Sequence, residues 1–192
     1  MSDTIAASAE QPMVDMKTHI LTVASKLILE KGIKNMSLKD IAKTAGISKG
    51  TLYYYYSAKE DIIYDIARRN MDQITQEILS WIQQKNGGLP LEEQLYALFQ
   101  KMLSAEASGK LHLHLLNDAV AANDKLAEQF RTLYEDWRRM LTEALEKAYP
   151  ETGSQTNAKA CLILAIMDGL MIQKICGAQD LPLREIIGLL LH

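Results

Sequence analysis

Apolar residues recur three and four positions apart along nearly the whole chain, the period of amphipathic helices rather than strands. From about Val14 to Lys31 the stripe is Ile20, Leu21, Ala24, Leu27 and Ile28, and Gly32 ends it. Residues 1–13, small and polar, read as a disordered tail. Leu38, Ile41, Ala42 and Ala45 mark a short helix, and Gly46 supplies the left-handed turn out of it. A second short helix follows Ser48. A long one runs from Lys59 to about Lys85 on Ile62, Ile66, Ile74, Ile78, Trp81 and Ile82, and NGGLP at 86–90 breaks it. Five more helices are expected at about 91–108, 111–122, 124–149, 155–177 and 182–191. Gly109, Asn123, the 150–153 turn and the 177–182 turn separate them. The fold class is all-α, with a head at 14–58 and a body at 59–192 that the long helix connects.

The stretch Ser37–Asp61 carries the most local information. Ser37 with Asp40 is a capping box, as is Ser57 with Glu60. Ser48 caps the helix between them. On that helix Lys49 and Tyr53 stand one turn apart, with Gly50 and Tyr54 beside them, while Leu52 and Tyr56 form a row suited to packing. Two short helices around a glycine turn make a helix-turn-helix, whose second helix enters the major groove of DNA.

The segment ISKGTLYYYYSAKEDI resembles the DNA-binding motif of TetR/AcrR-type transcriptional regulators, and the similarity extends from about Met16 to Ile66 through ILEKGIKNMS and LKDIAKTAGIS. Tyr56 departs from the usual Phe, and Tyr55 from a frequent His. The resemblance implies DNA contacts from Ser37, Ser48, Lys49, Gly50, Thr51, Tyr53, Tyr54, Tyr55 and Lys59. Lys49 and Thr51 would reach base edges or phosphates, Gly50 would admit a close backbone approach, and Lys59 would meet phosphate. Tyr56 is expected to be buried, Tyr53 and Tyr54 exposed, and Tyr55 at the border. Lys17 reads as a solvated surface lysine, with contact to a flanking phosphate as the alternative.

Net charge changes the picture once it is divided. The chain carries −3 overall, the opposite sign to that expected of a DNA binder. Asp15 to Arg69 holds ten Lys/Arg against six Asp/Glu, a surplus of +4, which leaves eleven against eighteen, or −7, in the remainder. A basic head on an acidic body is expected if only the head faces phosphate. With 48% hydrophobic and 23% charged residues, the 192-residue chain can bury a real core. No run of 18 apolar residues suggests a membrane span, and the first residues lack the features of a signal peptide, so a cytoplasmic protein is expected. Cys161 and Cys176 fall in one helix, about 20 Å apart along its axis, too far to pair, and read as reduced core thiols.

No phosphate loop, HExxH or CxxC motif occurs, and no nucleophile has a local base, so neither an enzyme nor a cofactor is expected. His112 and His114, two apart on a helix, point away from each other and cannot share a metal. His114 with Asp118 is better spaced, but surface polarity accounts for that pair. The resemblance implies a small effector in the body. Trp81, Tyr96, Phe99, Met102, Tyr134, Trp137, Met140, Met167 and Met171 are its candidate lining, suited to a hydrophobic or planar molecule. Asp168 interrupts an apolar stretch and is either hydrogen-bonded at a subunit interface, the favoured reading, or a polar anchor in the pocket. Small residues Ala158, Ala165, Gly169 and Cys176 share a helix face, which together with the apolar final helix suggests a homodimer. The expected function is a repressor on a pseudo-palindromic operator, released by its effector. An activator on the same fold, or a helical enzyme or scaffold without specific DNA binding, is the alternative.

Overall fold

The computed structural model describes residues 3–83, 89–148 and 155–191, and all the secondary structure among them is helical. The elements are α1 (Asp3–Asn35), α2 (Leu38–Ala45), α3 (Lys49–Tyr55), α4 (Lys59–Gln83), α5 (Leu91–Ser104), α6 (Glu106–Ala122), α7 (Asp124–Ala148), α8 (Thr156–Ile175) and α9 (Leu183–Leu191). The chain divides into two compact units, Met1–Arg69 and Asn70–His192. That division falls inside α4, past the 58/59 boundary expected from sequence, so α4 contributes turns to both units.

In the first unit α1 packs on α2 and α2 on α3. Ile20, Ala24 and Ile28 of α1, Ile41 of α2, Leu52 of α3, and Ile62 and Ile66 of α4 are all buried in this unit. Their spacing is the periodicity seen in the sequence. Two expectations are corrected here. Helix α1 begins at Asp3, so from that residue on the supposed tail is helical. The cap of α4 also uses a different acid. Because α4 starts at Lys59, the carboxylate placed to reach back is Asp61, which accepts from the Ala58 amide at 3.2 Å and from the Ser57 hydroxyl at 2.9 Å, rather than Glu60.

In the second unit Leu95 and Phe99 of α5, Trp137 and Leu141 of α7, Ile163 and Met167 of α8, and Ile187 of α9 share one core with Ile78 and Trp81 of α4. Both indoles are satisfied. Trp81 donates to the Gln94 carbonyl and Trp137 to the Thr75 hydroxyl, each at 2.8 Å. Gly109 is not the expected break, since the chain turns at Ala105 and Gly109 lies within α6. A Cβ there would overlap the Met171 thioether, so the glycine leaves room for that side chain of α8. The cysteines are also corrected: Cys161 and Cys176 are exposed, not core. Cys161 lies on the outward face of α8 with Ala158, Leu162 and Ala165, and Cys176 follows the last turn of that helix. The breaks expected at 86–88 and 150–153 lie outside the described residues.

Candidate nucleic-acid interface and ligand cavity

The head builds its surface on two capped helix starts. The Ser37 hydroxyl accepts from the Asp40 amide at 3.2 Å and donates to the Asp40 carboxylate at 2.6 Å, while the Ser37 amide returns to that carboxylate at 3.0 Å. Lys31 pairs with Asp40 at 2.8 Å. The Lys31 ammonium, and then the Ser37 donors, hold the Asp40 carboxyl well below the usual carboxylate range. At the far end of α2, Gly46 adopts φ 68°, ψ 26°, and the Ile47 amide reaches back to the Ala42 carbonyl at 3.0 Å. A residue with a Cβ would be strained in that conformation. The turn aims α3.

On α3 the Ser48 hydroxyl accepts from the Thr51 amide at 2.9 Å and bonds the Thr51 hydroxyl at 2.8 Å. Thr51 is therefore tied to the cap rather than held out. Lys49 and Gly50 are exposed, and Tyr53 and Tyr54 are 55% and 75% exposed. Tyr55 is half-buried and meets Tyr54 edge-on at 5.1 Å. Tyr56 is buried, and its hydroxyl donates to Asp65 at 2.9 Å. Burial first, then that bond, pushes the phenol well above its ordinary range. The hydroxyl that departs from the motif's usual Phe thus has a partner inside the unit. Lys17 sits over the Tyr56 ring at 5.4 Å. The Lys59 ammonium donates to the Ile33 carbonyl at 3.1 Å, bracing the end of α1.

Gly50 shows what the fold does not require. A Cβ at this position would meet only the Ser48 hydroxyl, at 3.7 Å, an ordinary van der Waals distance. Glycine costs about 0.5–1 kcal/mol relative to alanine within a helix. Nothing within the chain demands it.

The body holds a partly open cavity of about 280 Å³ lined from α4, α5, α6, α7 and α8. Of the nine candidate lining residues, Met102, Trp137, Met167 and Met171 reach it. Trp81 and Phe99 are core, and Met140 packs against the core. Tyr96 lies on a separate, open groove of about 850 Å³, where Arg184 stacks 4.1 Å from its ring centre. Tyr134 stands behind the wall and acts through its neighbours. Its hydroxyl donates to Asp168 at 2.7 Å, and His112 Nε2 lies 3.4 Å from the same oxygen.

Sequence reasoning missed the polar part of this wall. Asp168 lines the cavity, where the sequence reading preferred an interface, and Glu77, Lys101 and His112 line it too. Glu77 and Lys101 are ion-paired. His112 is buried among Phe130, Tyr134 and Trp137, with ring centres 5.2–6.4 Å away. Desolvation drops its imidazole to about 4, so it is neutral at pH 7. Burial raises the Asp168 carboxyl, against the opposing pull of the Tyr134 hydroxyl. The available signal was the period: 109, 112, 168 and 171 lie on facing stripes of two helices.

Comparison with known proteins agrees with this architecture. Residues 20–66 match the family of bacterial regulatory proteins called tetR, and residues 91–192 match the C-terminal part of BetI-type transcriptional repressors. The HTH-type transcriptional regulator AcrR of Shigella flexneri is 31% identical over 76 residues, 38% of this chain and 35% of that protein. The chain thus spans about a third of the length of the curated relatives it matches. A TetR/AcrR-type regulator from Aquifex aeolicus superposes with a TM-score of 0.71 at 26% identity, covering 92% of this chain and 98% of its own. A regulator from Saccharomonospora viridis solved with choline superposes at 0.74 and 20% identity, covering 92% of this chain and 94% of its own, a likeness of fold. With more than half its length in the BetI-type match and its helix-turn-helix in the other, the chain belongs to the tetR family of bacterial regulatory proteins.

Proposed function

We propose that the protein is a DNA-binding repressor, acting as a homodimer on a pseudo-palindromic operator and released by a small effector held in the body cavity. The observation that carries the DNA reading is the outer face of α3. It presents Lys49, Gly50, Tyr53 and Tyr54 together, and the chain itself has no use for a glycine there. A backbone without a Cβ lets a phosphate or base edge approach closely, while Lys49 supplies charge and the tyrosines supply hydroxyls and ring faces. Ser37, Ser48 and Thr51 act mainly as the caps that aim this helix, and Lys59 as a brace.

The dimer reading rests on the outward face of α8, where Leu162 and Ile172 are 51% and 46% exposed among small residues, and on Leu189 of α9, 84% exposed. Apolar groups at this density are buried by a second copy in a symmetric arrangement. Two copies present two α3 helices to two half-sites. The effector reading rests on this cavity, three of whose lining residues, Gln73, Ile74 and Glu77, come from the helix that begins at Lys59. An effector that binds the non-DNA state better shifts the population away from the operator. Among the described residues no helix is long and apolar enough to cross a membrane.

Footprinting on DNA from upstream of the protein's own coding region tests this. Two protected segments related by an inverted repeat are expected. Uniform, sequence-independent protection would remove the regulator reading and favour a non-specific binder.

A further inference from the structure

The cavity has a surplus of acceptors. The Tyr134 hydroxyl spends its proton on Asp168, so its oxygen can only accept from His112. The proton of the neutral imidazole therefore sits on Nε2, and Nδ1 is left as a bare acceptor. That Nδ1 is buried with no partner. Asp168 gives one oxygen to Tyr134, and no cation pairs with it among the described residues. Lys101, the one cationic side chain on the wall among the described residues, is already paired with Glu77. With His112 neutral and Lys101 engaged by Glu77, no positive side chain of the described wall faces Asp168.

A half-buried carboxyl without a counter-charge and a buried imidazole nitrogen without a donor are both costly to leave unmet. One ligand group answers both: a cation that carries N–H bonds. We infer that the cavity takes an organic ammonium with at least one N–H, a primary or secondary amine in its protonated form on a compact apolar body. The charge faces Asp168, an N–H serves the acceptors, and Trp137, Met102, Met167 and Met171 hold the apolar part. A quaternary ammonium meets the charge but offers no N–H, so the site discriminates between the two. This inference rests on the effector-binding reading and narrows it to one chemical class.

The test uses the full-length protein and three matched probes: 2-(1-naphthyl)ethylammonium, its N,N,N-trimethyl analogue and 2-(1-naphthyl)ethanol. Isothermal titration calorimetry is expected to rank the ammonium first, by roughly tenfold or more over each of the others, the scale of a charge-assisted hydrogen bond. Asp168→Asn should erase that preference while leaving affinity for the alcohol unchanged, which also reports that the cavity is intact. Should Asp168→Asn lose the alcohol too, Tyr134→Phe decides. It keeps the carboxylate and frees its second oxygen, so ammonium binding should hold or tighten, and weakening would overturn the inference. Equal binding of all three probes by the wild type would leave an effector cavity but reject the ammonium class. Binding of none would reject the class and the effector reading together.

Discussion

Tyr53 and Tyr54 stand out on a seven-residue helix of the head, whereas Tyr134 and Trp137 of the body turn inward around His112. Both sites are built from aromatic and polar side chains, yet they are assembled differently. Every group on the head's face lies within one short segment, fixed by two serine caps and one glycine turn. The body's cavity needs five helices in register, and its decisive groups, His112 and Asp168, are 56 positions apart in the chain. A local site can change in binding without a change in core stability. A site made of the core cannot.

The largest expected effect breaks the body and spares the head's surface. The folded state keeps His112 neutral down to about 4, while the unfolded chain takes the proton near the ordinary imidazole value of about 6.5. The folded value is depressed, so between these pH values the unfolded chain binds more protons and stability falls as pH drops. At most about 3 kcal/mol is lost by pH 4. Asp168 opposes this, because its raised carboxyl takes a proton in the folded state first. Urea unfolding at pH 7 and pH 4.5 measures the net, and His112→Gln should flatten the difference. An unchanged slope in that variant would place the acid sensitivity elsewhere.

Next in size, Lys49→Ala should cost about 1–3 kcal/mol of operator binding and leave the body's melting and ligand affinity untouched. Loss of sequence discrimination would mark Lys49 as a base reader. Uniform weakening with a salt slope lower by about one would mark it as a phosphate contact. Unaltered binding at every salt concentration would remove it from the surface.

The smallest effect is the most telling because its two parts have opposite signs. Gly50→Ala should raise the head's stability by about 0.5–1 kcal/mol, since the new methyl group meets only ordinary contacts and helix propensity improves. DNA binding should weaken, because the methyl stands where the backbone approaches the duplex. A variant as stable as expected with full DNA affinity would show that the glycine has no functional reason.

The same contrast explains what was legible in the sequence. Helical spacing and cap residues are local, so the head's order Ser37–Gly46–Ser48, the burial of Leu52 and Tyr56 and the exposure of Tyr53 and Tyr54 could be read from the chain. Thr51 and Lys59 looked available to DNA, but whether a side chain bonds a neighbour 2.8 Å away or the carbonyl of Ile33, 26 positions earlier, depends on tertiary geometry. In the body, aromatic and thioether residues marked the apolar wall only in part, since Phe99 and Met102 are three apart on one helix and only Met102 meets the cavity. Gly109 misled for a related reason. A glycine that breaks a helix and one that leaves room for a side chain from a neighbouring helix look identical in sequence, and Met171 tells them apart.

The central claim is that the face of α3 reads a specific operator. Fluorescence anisotropy of the purified protein on its own upstream DNA, at two salt concentrations and with excess competitor DNA, tests it most directly. Binding that survives competitor and weakens with salt by a finite slope is the predicted result. Binding that competitor erases at both salt concentrations, or none even at low salt, would contradict it.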